Sequence, residues 1–199
     1  MARRVSRYVK QANEATAAQL ARDLPSTVCL KDTNFNAELK RTPQLSSEER
    51  RVIWDIIDTN MRDLASGSSM GWDVQEKKNE LFDPVTSRFI VVRCSEPSPD
   101  NVDIIKAFVM FKFDYEVQVA ESWRRYGIGR FLVDQIIQIA RRFKMQKVLL
   151  TVLKANKGAS RFYTSMGFSK DETSPDYVPE GATDEDVEPC DYDIMSLVL

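Results

Sequence analysis

Apolar positions alternate, cluster and recur along this chain in ways that predict most of its elements. Residues 8–22 carry a helical pattern, and 33–42 alternate weakly like a strand. After Pro43 a capping box, Ser46 to Glu49, opens a helix that places Val52, Ile53, Ile56, Ile57 and Met61 on one face. Ser66-Gly67-Ser68-Ser69 ends it, and 72–81 predicts a further short helix stopped near Pro84. Three strand-like runs follow at 88–94, 104–113 and 115–120. An amphipathic helix is predicted over 127–143, with Ile128, Phe131, Leu132, Gln135, Ile136, Ile139 and Phe143 at helical spacing. A buried-type strand at 147–153, a short helix at 156–166 stopped by Gly167, and a last strand at 192–199 complete the series.

That order predicts an α/β fold: one domain built on a mixed, mostly antiparallel sheet flanked by helices. The first 30 residues read as a helical segment, and 31–199 as the domain proper. One join is irregular. Only Asp114 separates the strands at 104–113 and 115–120, too little for a tight hairpin, so missing loop residues and an anomalous gap are expected at Asp114–Tyr115.

Composition narrows the chemistry. The 199 residues, 43% hydrophobic and 29% charged, can bury one sizeable core, and no apolar run reaches the ~20 residues of a membrane span. Cys29, Cys94 and Cys190 are too scattered for a disulfide framework or a zinc site, so a reducing compartment and no metal are expected. Histidine is absent, which removes the usual triads and zinc-hydrolase motifs. The net charge of −2 hides an asymmetry: arginine and lysine crowd the N-terminal half and 124–147, whereas acidic residues accumulate after Lys170. A basic groove for an anionic ligand and an acidic rim for a cationic one can coexist on such a chain.

Arg124-Arg125-Tyr126-Gly127-Ile128-Gly129 falls between a predicted strand and a predicted helix. Two glycines there let a phosphate approach the backbone, the first helical N–H groups favour its charge, and the arginines add charge-assisted contacts. Leu132 stands where a dinucleotide fingerprint needs a third glycine, and no Gly-Lys-Ser/Thr follows, so neither competing phosphate motif fits. A bare strand-to-helix turn remains the simplest alternative.

Downstream lies Asn156-Lys157-Gly158-Ala159-Ser160-Arg161-Phe162-Tyr163, followed by Gly167-Phe168. Together the two elements resemble the signature of the GNAT superfamily of N-acetyltransferases. The resemblance implies acetyl-CoA held by Arg124, Arg125, Tyr126, Gly127, Ile128, Gly129, Arg130 and Asn156, with Tyr163 near the thioester sulfur. Lys112-Phe113-Asp114, 115–119, Leu150-Thr151-Val152 and Cys190-x-Tyr192, with Gly71-Trp72 upstream, are similar to the histone-specific N-terminal acetyltransferase D family (NatD). That likeness implies Glu116 as general base, and Asp114, Tyr115, Thr151, Tyr192 and Trp72 as substrate contacts. It further implies backbone contacts from Val117, Gln118 and Val119 to acetyl-CoA, and core-histone N-termini beginning Ser-Gly-Arg-Gly as partners. The family has aromatics just before Gly71, where this chain has Ala65 and Met70, so the strictness of peptide selection stays open.

The chemistry is consistent: an α-amine of pKa ~7.7–8.0 is partly neutral at cellular pH and needs only a modest base such as a carboxylate. A lysine or polyamine acceptor, or a binding module without turnover, remain the alternatives. A monomer in nucleus and cytoplasm, with no direct contact to nucleic acid or membrane, completes the expectation.

Overall fold

The computed structural model describes residues 7–95, 105–113, 117–118, 127–178 and 190–199. Within them, two antiparallel sheets share one helical cover. The first is five-stranded in the order β1-β2-β3-β4-β5, from Thr27–Leu30, Thr33–Arg41, Arg88–Cys94, Ile105–Phe111 and Val117–Gln118. The second runs β6-β8-β7, from Lys147–Leu153, Tyr192–Val198 and Ser169–Lys170. The single mixed sheet expected from sequence is thus divided where β5 lies beside β6, and every ladder among the described residues is antiparallel.

The helices are α1 (Arg7–Glu14), α2 (Ala17–Leu20), α3 (Ser47–Ser66), α4 (Val74–Leu81), α5 (Ile128–Arg142) and α6 (Lys157–Ser165). The helix expected over 8–22 is in fact α1 and α2. Thr16 breaks it, because its side chain accepts the Gln19 N–H at 3.2 Å while Gln19 returns a bond to the Thr16 N–H at 2.8 Å. The Ser46–Glu49 capping box forms as expected. The strand β1 was not predicted; it turns into β2 through Lys31 and Asp32, whose φ of 47° and 62° suit a primed hairpin turn without any glycine.

Strand β3 is apolar on both faces because both are covered. Ile90 and Val92 join Phe35, Val109, Leu132 and Ile136 under α5 and the N-terminal helices, while Phe89 and Val91 join Ile53, Leu81 and Phe108 under α3 and α4. In β4 the alternation skips a beat: Val92 pairs with Ala107 but Arg93 with Ile105, so the bulge at Lys106 turns Ile105 to the α3 side. The expected anomaly at Asp114–Tyr115 lies outside the described residues.

Candidate active site

The turn into α5 differs from the other helix starts. Ser46, Asp73 and Asn156 each cap a helix with a side-chain oxygen, whereas α5 begins at Gly127 with no side-chain cap. Gly127 sits at φ 83°, a left-handed conformation that costs other residues roughly 1–2 kcal/mol. Among the described residues the first N–H groups of α5 therefore have neither an intrahelical partner nor a capping side chain, and the positive end of the helix dipole reinforces them. At the opposite end Arg141 and Arg142 occupy the last turn, which suits the negative end of the dipole.

Gly129 carries a different message. Its backbone is helical, and a methyl group there would meet the Phe162 ring at 3.5 Å, ordinary contact. Among the described residues neither backbone strain nor a clash demands a glycine there. A glycine in a helix weakens it by about 1 kcal/mol against alanine, so the open backbone fits a ligand that must come close. Among the described residues, then, α5 starts without a side-chain cap and no contact requires a glycine at 129.

Phe162 links this turn to α6. Tyr163, 6% exposed, packs edge-on against Phe162 and Phe168 with ring centroids 5.2 and 5.7 Å away. Asn156 stands at the end of β6, caps α6 by accepting the Ala159 N–H at 3.1 Å, and its own N–H donates to the Leu153 carbonyl. The cap uses one lone pair of the carboxamide oxygen. Ile128 is fully buried and can offer a ligand only its backbone; the Arg130 side chain is exposed.

On the second sheet Thr151 faces Ile194 and Leu153 faces Tyr192, which puts Thr151 and Tyr192 on one face, both half-buried. Trp72 is held on α3: its indole N–H donates to Asp58 at 3.1 Å, and its ring stacks on Trp54 at 5.9 Å. Val117 and Gln118 lie in β5, opposite Phe111 and Met110. Asp114, Tyr115, Glu116, Val119, Arg124, Arg125 and Tyr126 lie outside the described residues.

The approach to that segment shows contacts the sequence did not signal. Asn13 donates to the Phe113 carbonyl at 3.1 Å, and the fully buried Arg88 covers the Phe113 ring at 5.1 Å while bonding the carbonyls of Thr86 and Asn13. Among the described residues Arg88 meets no carboxylate, and burial pushes its guanidinium down to about 10.

The acidic rim needs correction for its described part. Asp171 is buried against Lys147 at 2.6 Å, and Asp176 binds Lys154 and Lys170. Burial alone would raise both carboxyls, but these lysines and neighbouring hydroxyls hold them far below the usual range. Both charges are consumed inside the fold, so neither offers a cationic substrate an unpaired carboxylate. Among the described residues no cluster of three or more potential ligands could hold a metal, and no helix is long and apolar enough to cross a membrane.

Comparison with known proteins bears on the fold. Residues 86–168 fit the model of the acetyltransferase (GNAT) family. An acetyltransferase from Streptococcus agalactiae superposes with a TM-score of 0.55 at 13% identity, covering 82% of this chain and 98% of its own. Arabidopsis thaliana NAA60, in complex with a bisubstrate analogue, gives 0.54 at 14%, covering 82% and 99%. A chain of the NatC complex bound to Gag peptide and CoA gives 0.52 at 16%, covering 83% and 98%. The likeness to these structures is one of fold, and the matched segment spans β3 through α6, the elements that carry the Gly127–Gly129 turn, Asn156 and Tyr163. The chain thus has the GNAT fold, with residues 86–168 matching the GNAT family model.

Proposed function

We propose that this protein transfers the acetyl group of acetyl-CoA to the free N-terminal amine of core histones beginning Ser-Gly-Arg-Gly. The observation that carries the cofactor half is the uncapped, glycine-opened start of α5 against Phe162. Two neighbours of the same fold, one bound to a peptide and CoA and one to a bisubstrate analogue, are in keeping with it. The acceptor half rests on the sequence likeness to NatD around Asp114–Glu116, Thr151 and Tyr192.

Acetyl-CoA supplies an activated thioester. The chain's N–H groups at Gly129 and Arg130 would take its phosphates, and Asn156 its pantetheine or phosphate region. Backbone groups near Val117 would polarise the carbonyl. Glu116 would accept the proton of the attacking α-amine as the C–N bond forms and the C–S bond breaks, and Tyr163, or water, would return a proton to the thiolate. Thr151, Tyr192 and Trp72 would line the peptide's path, with Asp114 and Glu116 suited to an arginine in the substrate. Residues 31–199 form the catalytic domain in this reading, with 1–30 its helical N-terminal segment, and the protein works as a monomer in nucleus and cytoplasm.

The test is an acetylation assay on Ser-Gly-Arg-Gly peptides with free and blocked N-termini, read by mass spectrometry. Acetylation of the free peptide alone is expected. Modification that survives the block would replace the acceptor with lysine, and acetyl-CoA binding without turnover of any amine would leave a binding module. Glu116→Gln should lower kcat at least ~100-fold with CoA affinity retained; unchanged turnover removes Glu116 as the base.

A further inference from the structure

The loop between α3 and α4 is fastened to two different parts of the fold. At its far end Trp72 holds to Asp58 and Trp54 on α3. At its near end Ser69 bridges across 122 positions to Asp191: its backbone N–H donates to Oδ2 and its hydroxyl to Oδ1, each at 2.6 Å. Both carboxylate oxygens are thereby used by one residue.

Asp191 is itself fixed. Its carbonyl accepts the Lys154 N–H at 2.8 Å, just beyond β6, and the next residue, Tyr192, begins β8 opposite Leu153. The Ser69 hydroxyl and N–H, ahead of every other influence, hold the Asp191 carboxyl below its ordinary range. Between the two fastenings stand Met70, 40% exposed, and Gly71, at φ 62° with open space where a Cβ would lie.

An exposed hydrogen-bonded pair of this kind adds little to global stability, because water competes for both partners. What it does fix is position. It sets the Met70–Gly71–Trp72 stretch at a defined distance from Tyr192 and from Thr151 on the same sheet face.

We propose that Ser69 and Asp191 form a latch that positions the α3–α4 loop as a wall of the acceptor site, and so tune acceptor affinity without touching the reacting atoms. The proposal rests on the acetyl-transfer reading for its substrate, but the latch itself does not depend on that reading. The cofactor turn lies on α5, away from these contacts, so acetyl-CoA affinity should not follow the latch.

Hydrogen exchange on the full chain separates the two. Asp191→Ala should speed exchange of the Ser69 amide about tenfold or more while the β3 and β6 amides stay unchanged; equal rates in both proteins overturn the latch, whatever the enzyme acetylates. With Ser-Gly-Arg-Gly peptide as acceptor, Asp191→Ala and Ser69→Ala should raise peptide KM by about threefold to tenfold and leave the acetyl-CoA KM alone. The double variant should be no worse than Asp191→Ala, and Ser69→Thr, which keeps both donors, should behave as wild type. A freed loop with unchanged peptide KM, or equal shifts in both KM values, overturns the positioning role. Failure of the wild type to acetylate any amine would count against the acetyl-transfer reading and the positioning role together, with the exchange result still deciding the latch.

Discussion

Gly129→Ala separates a cofactor site from a bare helix turn. Gly129 is the second residue of α5, and its added methyl would rest 3.5 Å from Cζ of Phe162, a normal contact, with no backbone in the way among the described residues. In the folded chain the change should help: alanine for glycine in a helix is favourable by roughly 0.5–1 kcal/mol. Near a helix end the lower figure applies, and in a domain of this size it raises Tm by about 1–2 °C. For a ligand the change is adverse, because the methyl fills the space between the α5 start and Phe162 where a phosphate would approach the N–H groups. Losing one charge-assisted hydrogen bond costs about 1.5–3 kcal/mol, or roughly 10- to 100-fold in Kd. Titration calorimetry with CoA, beside differential scanning calorimetry of the free protein, reads both signs at once. A variant that is as stable as wild type or more so, yet binds CoA far more weakly, is the expected result. Unaltered CoA affinity would refute the cradle. Gly127→Ala is a poorer probe, since strain at φ 83° would mix unfolding into the result.

Tyr163→Phe keeps the ring contacts to Phe162 and Phe168, so the fold should be retained while kcat falls about tenfold or more if the hydroxyl serves the leaving thiolate; an unchanged kcat would make Tyr163 a packing residue only. Asp171 and Asp176 are held below the ordinary carboxylate range by their lysines and hydroxyls. Groups with a depressed folded pKa give stability that is present above the unfolded value of ~3.9 and lost as pH falls through the folded one. Their contribution should therefore stay constant from pH 8 to about 5 and decline progressively as pH falls below about 4. Asp171→Asn should cost about 1–3 kcal/mol at pH 7 and flatten that acid limb in urea melts; a variant whose acid limb matches wild type would dissociate Asp171 from it.

Much of this architecture is written in local pattern. The capping box at Ser46, the helical spacing from Ile128 to Phe143 and the apolar run of β6 announce their elements because each depends on residues a few positions apart. The same holds for Gly127 and Gly129 at the start of α5 and for Asn156-x-x-Ala159, whose side-chain cap is a bond between near neighbours. Where local signals were weak, the reading slipped. Lys31-Asp32 makes a hairpin turn without glycine, so β1 went unseen, and Thr16 carries a cap inside a pattern that looked continuously helical.

What the sequence by itself determined, then, is the identity of most elements and the glycine-opened helix start, since backbone conformation and helix capping act over one or two turns. Tertiary structure alone decided which charges are usable and which distant residues meet. Asp171 and Asp176 look like an acidic rim until Lys147, Lys154 and Lys170 close on them. Ser69 reads as a helix break until Asp191 arrives beside it from the far end of the chain. Phe162 becomes the neighbour of Gly129 only when α6 folds back against the start of α5. These outcomes depend on contacts between residues far apart in sequence, formed only when the sheets and helices bury their apolar faces together, and no short-range pattern encodes them.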